Sequence, residues 1–183
     1  MRVLSLLLLA AAQVFAADPK SERDRAFEDI VLADLRRPFP TDSELIKRFA
    51  DRRKDLEQLV AMAKTDKDLV RIAPDFTWTT SSVAWPRPDS ALGFSKDRWD
   101  AYRRLFRTLG LDAGVLRPPE HRDAVYLLVQ TKGLVTGGST KGYAYSEAPL
   151  EPQCHSLDKP EAVHTDICFK PLGGKWYLFL EQD

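Results

Sequence analysis

Leu45, Ile46, Phe49, Leu56, Leu59, Val60 and Ala63 recur at helical spacing, while Lys47, Arg48, Asp51, Lys54, Asp55 and Gln58 between them are charged or polar. The pattern predicts a helix running to about Lys64 with one buried face and one solvated face. Thr41-Asp42-Ser43-Glu44 precedes it with the spacing of a capping box. A second stripe, Trp99, Tyr102, Leu105, Phe106 and Leu109, predicts a helix over 95–109 that Gly110 closes. Its flank carries Arg98, Arg103, Arg104 and Arg107, but Asp97 and Asp100 are interspersed, so it is a poor phosphate-binding stripe. Ahead of both, Phe27, Ile30, Val31 and Leu35 predict a helix over 21–37, stopped by Pro38 and Pro40.

Elsewhere the pattern is extended. Residues 69–73 and 76–84 read as strands, the second rich in β-branched residues and followed by a proline turn. Its Trp78, with Trp85, fits core or rim packing better than a ligand groove. From 113 onward the helical period disappears, and 113–117, 123–131 and 140–145 read as strands. The last twenty residues, 162–181, predict a hairpin around Pro171-Leu172-Gly173-Gly174. Trp176, Leu178 and Leu180 share one face of its second strand, and Tyr177 and Phe179 the other. Pairing Lys170 with Lys175 places Phe169 opposite Trp176 and Ile167 opposite Leu178, and His164 opposite Glu181 on the reverse face. Helices first and an antiparallel sheet afterwards predict an α+β fold, N-terminal amphipathic helices packed on a C-terminal, mostly antiparallel sheet. The expected organisation is a segment over 17–40 and a single domain over 41–183, with an irregular loop at 146–160.

The first sixteen residues change the setting. Met1-Arg2, an apolar run over 3–14 and Val14-Phe15-Ala16 have the form of a secretory signal peptide cut near Ala16. No second apolar run is long enough to cross a membrane. The expected product is periplasmic or secreted, and with Ala17-Asp18-Pro19 at its start it has no cysteine there for a lipid anchor. Losing Arg2 from the 27 Lys and Arg leaves 26 against 27 Asp and Glu, a balance that points to no nucleic acid and no anionic membrane. The chain contains no asparagine, which removes N-glycosylation and every catalytic signature that needs that residue.

In an oxidising compartment Cys154 and Cys168 are expected to form a disulfide; two free thiols or a metal site are the competing readings. The metal reading groups His155 with His164, Asp166 and Cys168, the last three alternating on one strand face with nitrogen, oxygen and sulfur donors suited to zinc or copper. The same cluster offers a thiolate and a base for hydrolysis. Both need reduced sulfur. Gly137-Gly138-Ser139-Thr140-Lys141-Gly142 lacks the order and following helix of a phosphate loop and reads as a turn. Ser156-Leu157-Asp158-Lys159 matches Ser-x-x-Lys without its companion motifs. Nothing points to a cofactor.

Lys141-Gly142-Tyr143-Ala144-Tyr145, Ser156-Leu157-Asp158, Gly174-Lys175-Trp176-Tyr177-Leu178-Phe179 and Leu59-Val60-Ala61-Met62-Ala63 together resemble small secreted or lipid-anchored bacterial proteins of uncharacterised families. The resemblance implies an envelope or secreted setting and supplies no activity. With every catalytic motif incomplete, the expectation is a non-enzymatic domain that binds a protein or cell-envelope component, through a surface bearing Tyr143, Tyr145, Tyr177 and Phe179. The rival is a metal-binding protein or hydrolase built on His155, His164, Asp166 and Cys168.

Overall fold

Thr41 caps helix α1 (Asp42–Thr65) as its sequence predicts: the Glu44 N–H donates to Thr41 Oγ1 and the Thr41 N–H to Glu44 Oε2. The structure is a computed structural model that describes residues 29, 32, 33, 36–66, 68–79, 83–84, 95–121, 123–134, 137–159 and 166–182. The predicted leader, Trp85 and His164 lie outside these. The chain divides into Met1–Arg36, in which residues 29, 32, 33 and 36 are helical, and Arg37–Asp183, which holds everything below.

The apolar stripe of α1 is interrupted between Phe49 and Leu56, and the helix kinks there, at Arg52 (φ −124°, ψ 20°). Ile46, expected in the stripe, is instead exposed. Helix α2 (Lys96–Leu109) runs from its Ser95 cap to Gly110, whose φ of 62° suits glycine. The two helices lie antiparallel and cap each other with arginines. Arg98 of α2 donates to the Met62 carbonyl at the end of α1, and Arg48 of α1 donates to the Leu109 and Gly110 carbonyls. Asp66 then accepts from Arg98 Nε (2.9 Å) and Tyr102 Oη (2.7 Å). Part of the predicted basic flank is therefore a helix-end clamp.

The strands are β1 (Leu69–Ile72), β2 (Thr77–Thr79), β3 (Val83–Ala84), β4 (Gly114–Leu116), β5 (Ala124–Leu134), β6 (Gly137–Ser146), β7 (Ile167–Gly173) and β8 (Trp176–Gln182). They form one antiparallel sheet in the order β3-β2-β1-β4-β5-β6-β8-β7. The fold is α+β, and β1 to β3 come between the helices, where residues 69–73 and 76–84 read as strands. Both helices cover one face, where Leu45, Leu56, Leu59, Tyr102 and Phe106 pack on Val115, Leu127, Tyr143 and Leu178. The other face carries Tyr126, Phe169, Tyr177 and Phe179 with Leu150 from the loop after β6. His121 seals it, its Nδ1 2.8 Å from Tyr126 Oη and its ring edge-on to Phe169.

The glycine-rich stretch expected to be a turn is strand. Gly133 pairs with Gly138, and a Cβ at Gly142 would stand 2.1 Å from the Leu127 carbonyl oxygen, so only glycine fits that crossing. The final hairpin is also corrected. β7 continues through Pro171 to Gly173, the turn is Gly174-Lys175, and Phe169 pairs with Phe179 while Ile167 pairs with Glu181. Pairing slips by an odd number of residues, so Phe169 joins the Phe179 face and Cys168 the Leu180 face. The alternation within β8 is as predicted.

Candidate ligand groove

A chain with balanced charge gains little from isolated surface ion pairs, so informative charges are those that are buried or that converge. Two such clusters beyond the Asp66 clamp stand out among the described residues. The first is buried: Asp42, at the start of α1, is 3% exposed and faces Lys141 of β6, which is 1% exposed. Asp42 Oδ1 meets Lys141 Nζ at 2.9 Å as an ion pair outside the angles of a directed hydrogen bond. Its Oδ2 accepts from Lys170 Nζ of β7 and from the Leu157 N–H, each at 2.9 Å. Lys141 Nζ also donates to Asp158 Oδ1 (2.9 Å), and that oxygen accepts the Asp42 N–H at 2.7 Å. Burial pushes the Asp42 carboxyl up, but the Leu157 N–H and the two ammoniums hold it down, to about 2. The cluster ties α1 to two strands and to the 147–159 loop, and its centre is closed to solvent.

The second cluster borders an open groove of about 470 Å³ between the C-terminal half of α1, the end of β6 and the β7–β8 turn. Glu147, in the bend just after β6, is its focus. Its Oε1 accepts from Lys64 Nζ (2.7 Å) and Tyr145 Oη (3.0 Å), and its Oε2 accepts from Lys175 Nζ. Those bonds, Lys175 first, lower the Glu147 carboxyl to about 2, and the same contact raises the Lys175 ammonium. Tyr145 meets Trp176 edge-on at 5.2 Å and lies under Lys64, whose Nζ is 4.4 Å from the ring centroid. Val60 and Ala61 complete an apolar floor, and Arg53 paired with Glu57 at 2.9 Å forms the far lip.

The residues expected to form one contact surface do not lie together. Tyr143 is fully buried under α1, donating from Oη to the Leu45 carbonyl, and burial raises its pKa. Phe179 and Tyr177 are buried on the opposite face of the sheet. Tyr145 alone reaches the groove. Cys154 and Cys168 are joined in a disulfide with their Cα atoms 6.0 Å apart, which takes the Cys168 sulfur out of the expected metal or nucleophilic cluster. His155 and Asp166 are exposed, and among the described residues no three His, Cys, Asp or Glu gather as metal ligands. Trp78 is 46% exposed on β2.

Sequence reasoning missed Lys64, Glu147 and Lys175. Glu147 is 83 residues from Lys64 and 28 from Lys175, so no local spacing carries the signal. In comparisons with known proteins, no family model matches the chain, nor does any curated protein or solved structure.

Proposed function

We propose that this is an exported, non-enzymatic domain that binds a protein or cell-envelope component, and that the groove beside Glu147 is its contact site. The observation that carries the reading is the convergence of two ammoniums and a phenol on one solvent-facing carboxylate, next to an apolar floor in a groove of ligand size. Export is supported by the leader pattern in residues 1–16 and by the disulfide, which persists in oxidising compartments. The rival reading requires a Cys168 thiolate that this sulfur bond removes.

Ala61 is exposed on the groove side of α1, so Ala61→Trp fills the groove from a helical position that tolerates a large side chain. Capture of partners from envelope extract is expected to fall at least about tenfold for Ala61→Trp, and to be unchanged for Asp51→Trp, which lies on the same helix outside the groove. Equal capture by wild type and Ala61→Trp would remove the groove as the contact site.

A further inference from the structure

We infer that the groove takes the free C-terminal carboxylate of a peptide with an apolar last residue, and that Glu147 is an internal carboxylate holding that position until such a peptide displaces it. The inference rests on the groove being the contact site. The donors come from separate elements: Lys64 from the last turn of α1, Tyr145 from β6 and Lys175 from the β7–β8 turn. Three elements that meet only in the folded chain present their donors to one carboxylate, with both of its oxygens engaged. An incoming carboxylate finds that arrangement ready-made.

Glu147 is suited to leave. It is exposed, sits beyond the last ladder residue, and the backbone before it is fixed by the Ser146 N–H bond to the Lys175 carbonyl (3.0 Å), so side-chain rotation alone withdraws it. Lys64 stays when Glu147 leaves, because the Tyr145 ring holds its ammonium. The floor beside the donors accepts one apolar side chain, and the Arg53–Glu57 lip offers a donor and an acceptor to peptide amides. The same lip disfavours a fatty acid, whose tail would lie against an ion pair in an open groove.

The test titrates the purified chain, Glu147→Ala and Glu147→Ala/Lys64→Ala/Lys175→Ala with N-acetyl-Gly-Leu-Phe as the free acid, with its C-terminal amide, and with octanoate. The backbone amide shift at position 175 and the indole shift of Trp176 report binding. The free acid is expected to shift both signals and to bind Glu147→Ala at least about tenfold more tightly than wild type, with the amide and octanoate at least about tenfold weaker and the gain abolished in the triple variant. Acid and amide binding alike, or no gain in Glu147→Ala, overturns the carboxylate inference while leaving the groove as a contact site. Octanoate binding as tightly as the peptide overturns the peptide source, and a free acid that moves neither signal overturns the inference entirely. The groove itself stands or falls separately, by capture with Ala61→Trp.

Discussion

Replacing Lys141 with methionine is expected to destabilise the fold by about 3–5 kcal/mol, measured as a lower urea midpoint at unchanged slope. Lys141 is buried and touches Asp42 and Asp158 at 2.9 Å each, so methionine leaves the Asp42 carboxylate buried with Lys170 as its remaining cation. Out of a total of roughly 5–15 kcal/mol this is a large loss. The double variant Asp42→Asn/Lys141→Met is expected to recover part of it, because the cost comes mainly from a buried carboxylate that has lost one of its two cations. The effect also has a pH window. Asp42 titrates near 2 in the folded chain against 3.8 unfolded, so its contribution of about 2 kcal/mol is fully present above pH 4 and is lost as pH falls from about 4 to about 2. The gap between wild type and Lys141→Met is expected to narrow over that interval. A gap that stayed constant down to pH 2 would mean that Asp42 is not the group Lys141 compensates.

Removing the disulfide is expected to have the next largest effect. Cys154 and Cys168 close a loop over 14 residues, worth about 3 kcal/mol in the chain-entropy account. The bond also fastens a strap over the sheet edge. On the outer side of β7 the Phe169 N–H donates to the Pro152 carbonyl (2.9 Å) and the Phe169 carbonyl accepts the Cys154 N–H (2.8 Å), while Pro171, two residues on, has no N–H to offer. Strap and proline together close an edge that would otherwise accept another strand. Cys154→Ala/Cys168→Ala is therefore expected to unfold about 3 kcal/mol earlier in urea and to associate as its concentration rises, followed by light scattering. A variant that unfolds at the wild-type midpoint and stays monomeric would show that the strap holds without its bond.

These two features mark how far the sequence can be read. The helices were legible because their signals are local: Thr41 and Glu44 make the capping box, and Gly110 ends α2 at a positive φ. The alternation of β8 was legible for the same reason. The pairing of β7 was not, because Pro171 reads as a strand breaker. On an edge strand whose outward side it occupies, its missing N–H costs nothing, and the turn moves to Gly174-Lys175, where Gly174 has φ +61°. Lys141 and Gly142 fall within the expected strand 140–145, but why a lysine and a glycine stand side by side in a buried strand was not legible. Their reasons, Asp42 and the Leu127 carbonyl, lie on other elements. Tyr143, Tyr145, Tyr177 and Phe179 could be placed on strands, but aromatic content alone does not distinguish a buried sheet face from a groove wall. The groove depends on Lys64, Glu147 and Lys175 meeting across the fold, which is a tertiary fact.

The most direct measurement of the central claim is site-specific photo-crosslinking in envelope extract, with the crosslinking residue placed at Ala61 in the groove or at Asp51 outside it. A discrete adduct from position 61, competed away by unlabelled chain and missing from position 51, is the result this account predicts. Equal adducts from both positions, or adducts from position 51 alone, would contradict it.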